Sequence, residues 1–72
     1  MKNYIELKKE IGTLGNMELW AASAHYEGHI TEGFALCPKE DSRGLGSCDW
    51  YESDPRELND ITGGLRLPAY RR

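Results

Sequence analysis

The sequence lacks any long apolar run, and this absence excludes a membrane-spanning helix. A helix that crosses a bilayer needs about 20 consecutive, mainly apolar residues, and no segment of this chain provides them. The first ten residues, MKNYIELKKE, also lack the apolar middle part of a secretory signal peptide. We therefore expect a cytoplasmic protein.

Cysteine is scarce, with Cys37 and Cys48 as its two occurrences. Two cysteines are too few for a disulfide framework, and in a reducing compartment both normally remain thiols. They bracket the polar loop 38–47. If the flanking strands pair, a bridge between the two side chains is geometrically allowed.

The chain also lacks recognisable catalytic, phosphate-binding or metal-binding spacing. Its glycines match neither of the glycine-rich phosphate-binding patterns. His25, His29, Cys37 and Cys48 supply the side chains of a zinc site, but His29 and Cys37 lie on one predicted strand. Their separation there is about 26 Å at roughly 3.3 Å per residue, far beyond the reach of one ion. We predict a protein that is not an enzyme and has no metal and no cofactor.

What is present is an ordinary globular composition. The chain has 72 residues, of which 39% are hydrophobic and 29% are charged, so residues 1–72 are expected to form one small folded domain. The net charge of −3 and the pI near 5.3 argue against a surface built throughout to attract phosphate.

Residues 17–37 read as two strands that reverse at Glu27 and Gly28. One face of this hairpin is apolar at its open end and polar toward the turn. The opposite face combines small side chains with Trp20 and Tyr26, and we expect a helix to cover it. The alternative is that Trp20 and Tyr26 remain partly exposed contacts. The predicted cross-strand pairs are Tyr26 with His29, His25 with Ile30, Ala21 with Phe34 and Leu19 with Leu36.

The remaining segments predict two helices and two strands. Tyr4, Leu7 and Ile11 recur at helical spacing, which indicates a helix over residues 3–11. Residues 48–52 read as a third strand, and Asp54 followed by Pro55 marks a helix start, with Glu57 placed to complete a capping box. Residues 65–67 add a short strand that Pro68 ends. The predicted fold class is α+β, with an antiparallel sheet of three to four strands built on the central hairpin and one or two short helices on one face.

The segment 49–60 holds five acidic residues against one basic residue, together with two aromatic side chains. Aromatic anchors beside carboxylates suit recognition of a basic protein surface. The alternative is that Trp50 belongs to the core and that the acids cap a helix and face solvent. The predicted partner-binding residues are Asp49, Trp50, Tyr51, Glu52, Asp54, Glu57, Asp60 and Trp20.

These features favour a protein–protein interaction module that binds a larger protein or complex with a basic surface. A small, acidic chain without motifs looks like the accessory proteins of phages and mobile elements, including anti-CRISPR and antirestriction inhibitors that occlude a nucleic-acid-binding surface. Two alternatives stay open. The lysines and arginines near the two termini allow a nucleic-acid-associated regulatory protein, and an uncovered sheet edge allows a structural homodimer.

Overall fold

The computed structural model describes residues 2–39, 46–58 and 64–71, and it shows five strands that form one closed barrel. In place of helices, the described ranges contain a single 3-10 turn, Pro55–Glu57. The predicted α+β class is therefore wrong, because the described fold is all-β. The strands are β1 (Tyr4–Leu14), β2 (Met17–Tyr26), β3 (His29–Pro38), β4 (Ser47–Tyr51) and β5 (Leu65–Arg71).

The barrel closes through a parallel pair, although every other pair of neighbouring strands is antiparallel. Strands that follow one another in antiparallel order alternate in direction, so the first and fifth strands run the same way. Closure must then be parallel, and it joins β1 to β5 from the pair Ile5–Ala69 to the pair Leu7–Arg71. The two ends of the chain therefore lie on neighbouring strands.

The predicted hairpin is confirmed in its register. Glu27 and Gly28 have φ angles of 52° and 82°, as a two-residue type I′ turn requires at both central positions. This turn places the two strands in the predicted alignment. The observed partners include Tyr26 with His29, His25 with Ile30, Ala21 with Phe34 and Leu19 with Leu36.

The helix predicted over residues 3–11 is wrong, because this segment lies within β1. Ile5 and Leu7 alternate inward as in any strand, but the register with β2 shifts between Leu7 and Lys9 and again between Glu10 and Gly12. Each such bulge adds one residue on β1 and breaks the two-residue alternation. The helical spacing of Tyr4 and Leu7, which precede both bulges, joins side chains of opposite faces: Tyr4 stacks on His25 outside and Leu7 lies in the barrel interior.

The covering helix predicted on the small-residue face of the hairpin is also absent from the described residues. This face lines the barrel interior instead, where Trp50 of β4 fills the space beside Gly33; a Cβ built on Gly33 would lie 2.7 Å from the Trp50 ring. The sheet thus covers its own face by closing. The buried residues of this interior are Ile5, Leu7, Ala22, Ala24, Ala35, Cys37, Cys48, Trp50, Leu67 and Ala69.

A second buried cluster lies on the opposite face of the hairpin, at its open end. Leu19, Leu36 and Tyr51 form it, and partly buried Ile11, Leu14, Met17 and Phe34 pack against it. Ile30, near the turn on the same face, is 66% exposed. The predicted division of this face is therefore confirmed at the open end and at Ile30, whereas Ser23, predicted to be wet, is 2% exposed.

The predicted helix start at Asp54 produces only a 3-10 turn. Asp54 acts as the N-cap, since its Oδ1 accepts a hydrogen bond of 2.9 Å from the Arg56 amide, and Pro55 occupies the first position of the turn. Leu58 already has the extended angles φ −87° and ψ 139°. A capping signal alone does not sustain a helix, because a helix this short depends on packing against the rest of the protein. The rest of the predicted helix, residues 59–63, lies outside the described residues.

Pro68 does not end the last strand, as β5 continues to Arg71. The Ala69 amide donates to the Gly46 carbonyl on the β4 side, so the nitrogen of the preceding residue, Pro68, faces the β1 side. The first partner pair described there is Ile5–Ala69. Proline thus stands where the described ladder needs no donor, which is why the strand tolerates it.

Cys37 and Cys48 form a disulfide, in contrast to the two free thiols expected from the sequence. The pair Leu36–Asp49 sets the register of β3 against β4 and places the two cysteines directly opposite each other. Their Cα atoms are 4.7 Å apart, within the range that a disulfide spans. The bridge ties β3 to β4 inside the barrel.

Candidate binding surface

The aromatic side chains of the sequence-predicted site lie mainly inside the protein. Trp50 is 7% exposed and Tyr51 is 9% exposed. The alternative prediction, in which Trp50 belongs to the core, is therefore confirmed. Trp20 is partly buried and packs against the barrel core. Its ring lies 5.1 Å from the guanidinium carbon of Arg71, and its Nε1 donates to Glu18 at 3.2 Å. The structure does not bring these rings to the surface beside the acids.

The acidic residues of that site divide into paired and exposed side chains. Asp49 lies 3.5 Å from Arg66 and Asp54 lies 2.7 Å from Arg56. Hydrogen bonds from the Arg56 side chain, followed by one from its amide, hold the pKa of Asp54 below its usual value. Two further predicted residues, Glu52 and Glu57, are exposed. Asp60, also predicted, lies outside the described residues.

A different surface stands out on the outside of the barrel, near the β2–β3 turn. Tyr70, Tyr4, His25 and Ile30 form a row across β5, β1, β2 and β3, which we call the aromatic row. Tyr4 and His25 are register partners, as are His25 and Ile30. At the ends of the row, Tyr70 is 46% exposed and Ile30 is 66% exposed. Four neighbouring strands thus present one continuous row of aromatic and apolar side chains, exposed at its two ends and half-buried at its centre.

Ring contacts hold the centre of the aromatic row in place. The Tyr4 and His25 rings stack at 4.3 Å with an interplanar angle of 8°, and Tyr70 meets Tyr4 edge-on at 5.8 Å. His25 Nε2 also lies 3.2 Å from Glu6 Oε1. Such side chains lose little additional conformational freedom when a partner covers them.

A polar cluster borders the aromatic row along the next register line. Lys8 Nζ contacts both carboxylate oxygens of Glu32 at 2.8 Å. Hydrogen bonds from Lys8, followed by one from Ser23, hold the pKa of Glu32 below its usual range. Ser23 is only 2% exposed. The cluster therefore fixes a charged boundary beside the apolar strip.

An open groove of about 330 Å³ adjoins the row at the turn. Lys2, Tyr4, His25, Gly28, His29 and Ile30 line it. The groove is lined by basic and aromatic side chains, a combination suited to contact with another molecule. Across the described ranges, no group of three His, Cys, Asp or Glu side chains gathers as a metal site would.

The sequence contained only part of the signal for the aromatic row. The hairpin register alone pairs His25 with Ile30 on the wet part of its face. Tyr4 and Tyr70 join them only because β1 and β5 are neighbouring strands in the closed barrel. The sequence predicts a helix at Tyr4, and it predicts that the last strand ends before Tyr70.

Comparison of the chain with protein-family models, with curated proteins and with solved structures gave no match. None of the helical structure described is long and apolar enough to cross a membrane.

Proposed function

We propose that this protein is a non-enzymatic protein-binding module whose contact surface is the aromatic row. The observation that carries the proposal is the exposure of Ile30 and Tyr70 at the two ends of a strip that is continuous across four strands. Contiguous exposed apolar surface marks interaction sites, and tyrosine is enriched among the residues that dominate binding energy. The stacked Tyr4 and His25 rings provide a rigid centre for the contact.

The partner we propose is a larger protein with a basic surface, which the module occludes. The acids available for this role include Glu27 in the β2–β3 turn, Glu32 of β3 and Glu52 directly after β4, all of them exposed. Carboxylates around an apolar centre steer the encounter and set its orientation. The anchors in this proposal are the row residues, since Trp50 and Tyr51 are buried.

We place the module in the cytoplasm, which sets a condition on the disulfide. Cytosolic thiols are normally kept reduced, so the bridge must resist exchange there. Cys37 and Cys48 are 6% and 4% exposed, and an attacking thiol needs access to a sulfur atom. Thiol alkylation in rapidly quenched cells tests this condition, because alkylated Cys37 and Cys48 would show that the bridge does not persist.

The test of the proposed function compares partner capture by matched surface variants. The row variant carries Ile30→Ser and Tyr70→Ser, and the control carries Leu65→Ser, which removes an apolar side chain of similar exposure (44%) outside the row. Truncation of residues that dominate the binding energy costs about 2 kcal/mol or more, equivalent to roughly thirtyfold in affinity. Proteins retained by the wild type and the control but lost from the row variant support the proposal.

Charge reversal provides a second arm of the same experiment. Glu27→Lys and Glu52→Lys alter exposed side chains and leave the Asp54 cap intact. We expect weaker capture and a smaller dependence on salt. Equal capture by the wild type, the row variant and the control would overturn the proposed surface.

Nucleic acid is the second candidate, because the pairing of β1 with β5 brings the basic termini together beside Tyr4 and Tyr70. Aromatic rings and cations together suit single-stranded nucleic acid. Several cations are already paired, however, including Lys8 with Glu32 and Arg66 with Asp49. A titration with mixed-sequence single-stranded DNA at low salt distinguishes the two candidates. Binding that weakens with salt and is lost in the row variant would favour nucleic acid.

A further inference from the structure

The strand β3 is longer than its described pairing with β4. It pairs with β2 along its whole length, from His29 to Pro38. Its described partners on β4 begin only at Phe34, opposite Tyr51. Over residues 29–33, the described part of the chain therefore shows a strand neighbour on one side of β3.

The turn determines which backbone groups of β3 face away from β2. In a hairpin with a two-residue turn, Tyr26 and His29 form the hydrogen-bonded pair next to the turn. The N–H and C=O groups of His29 and Thr31 then point toward β2. Those of Ile30 and Glu32 point to the other side, and we call this side the open β3 edge.

The pairing farther along β3 agrees with this assignment. Outward-facing Phe34 and Leu36 are the positions that exchange hydrogen bonds with β4, so the intervening pairs must be the narrow, non-hydrogen-bonded ones. Cys37 and Cys48 form such a pair, with 4.7 Å between their Cα atoms. The directions of the Ile30 and Glu32 backbone groups follow from the same alternation.

We propose that an extended segment of the partner protein adds to the open β3 edge as a further strand. This inference rests on the proposed function and names the way in which the partner binds. Strand addition draws affinity from main-chain hydrogen bonds and specificity from alternate side chains. The groups that receive the segment are the N–H and C=O of Ile30 and Glu32, and the added strand extends the aromatic row beyond Ile30.

Charge and apolar exposure identify the chemistry of the added segment. Ile30 offers an apolar neighbour to a side chain on the outer face. Exposed acids flank the edge: Glu27 lies in the turn, Glu32 lies on the edge itself, and Glu52 follows the last residue of β4. Of these three acids, only Glu32 has an ion pair in the described contacts, and its partner is Lys8. A segment that alternates apolar and basic residues complements this edge.

The same charges disfavour a second copy of the chain as the occupant. An antiparallel copy would bring another set of Glu27, Glu32 and Glu52 to the same edge, and like charges on neighbouring strands are destabilising. Residues 29–33, His-Ile-Thr-Glu-Gly, contain neither lysine nor proline, two common protections of an edge. The acids thus guard against self-association while leaving the edge available to a basic segment.

The test uses a fluorescently labelled, end-capped peptide of alternating valine and lysine at low salt, with binding followed by fluorescence anisotropy. Of the two control probes, one alternates valine with glutamate, and the other is the basic peptide with N-methyl groups on consecutive amides, which blocks both of its edges because successive N–H groups of a strand face opposite sides. We expect the basic peptide to bind, the acidic peptide not to bind, and the N-methylated peptide to bind about tenfold more weakly. The N-methylated probe tests the main-chain hydrogen bonds without any change to the protein.

The matched protein variants are Ile30→Pro and Ile30→Val. Proline removes a donor that faces away from β2, which edge strands tolerate, whereas valine keeps both the donor and the branched side chain. We expect about tenfold weaker binding for Ile30→Pro and little change for Ile30→Val. Circular dichroism checks that Ile30→Pro is folded. If this variant is unfolded, binding of the N-methylated probe to the wild type decides whether main-chain hydrogen bonds hold the segment.

Three results would overturn strand addition. The first is the absence of binding by the basic peptide, and the second is equal binding by the N-methylated and unmodified peptides. The third is a wild-type dimer that becomes monomeric in Ile30→Pro, which would identify a second copy as the occupant. If any of these occurs while the row variant still loses captured proteins that the control retains, the proposed function stands and only the mode of binding fails.

Discussion

Reduction of the Cys37–Cys48 disulfide should strongly destabilise the barrel. The bridge closes a loop with a sequence separation of 11 residues, and the loop-closure model assigns such a loop about 3 kcal/mol at 25 °C. Proteins of this kind have total stabilities of about 5–15 kcal/mol. The crosslink therefore contributes a substantial share of the free energy of unfolding.

The expected change is large enough to measure in two ways. For a domain of this size, each kcal/mol shifts Tm by about 4–8 °C, so the reduced protein should melt roughly 12–24 °C lower. The midpoint of urea unfolding should fall by about 1–3 M, given a slope of about 1–3 kcal/mol/M. The comparison uses one wild-type preparation, oxidised or treated with reductant, so that the sequence is identical in both samples.

A double variant, Cys37→Ala with Cys48→Ala, serves as the control for the reductant itself. Its unfolding midpoint should be the same with and without reductant. Mass spectrometry after alkylation verifies that the oxidised wild type contains the bridge. Equal stability of bridged and reduced wild type would refute the loop-closure reasoning, and two alkylated thiols in the non-reduced protein would refute the bridge.

Two further predictions concern packing and pH. Gly33→Ala should destabilise the protein by about 1–3 kcal/mol through overpacking, because its Cβ would lie 2.6 Å from the Tyr51 carbonyl oxygen. The control is Gly12→Ala, whose Cβ meets only the flexible end of Arg56 at 3.3 Å. Equal losses of stability for the two variants in urea unfolding would contradict this prediction. Because Arg56 lowers the pKa of Asp54, the contribution of this carboxylate is present above pH about 4 and is lost as the pH falls further. Asp54→Asn should therefore show a shallower acid decline in unfolding midpoint than the wild type, and parallel profiles would count against it.

The β2–β3 hairpin shows how far local information reaches. Glu27 and Gly28 determine a two-residue turn, and the turn sets every partner pair that follows. The same local information located the N-cap at Asp54 and a strand near residues 48–52. These features were predictable because neighbouring residues alone decide them.

The errors arose where distant parts of the chain decide the structure. In β1, the helical spacing of Tyr4 and Leu7 joined side chains of opposite faces, and two bulges broke the strand alternation after Leu7. Pro68 remained compatible with β5 because its nitrogen faces a position where the described ladder needs no donor. A local pattern cannot show either condition, since each depends on the neighbouring strand.

For the candidate surface, the sequence by itself determined that His25 and Ile30 share one face near a turn. Only the tertiary structure added Tyr4 and Tyr70 to that face and withdrew Trp50 into the barrel interior. The physical reason is the closure of the barrel, which makes the first and last strands neighbours and turns the small-residue face of the hairpin inward. The turn is a property of adjacent residues, whereas closure is a property of the whole sheet.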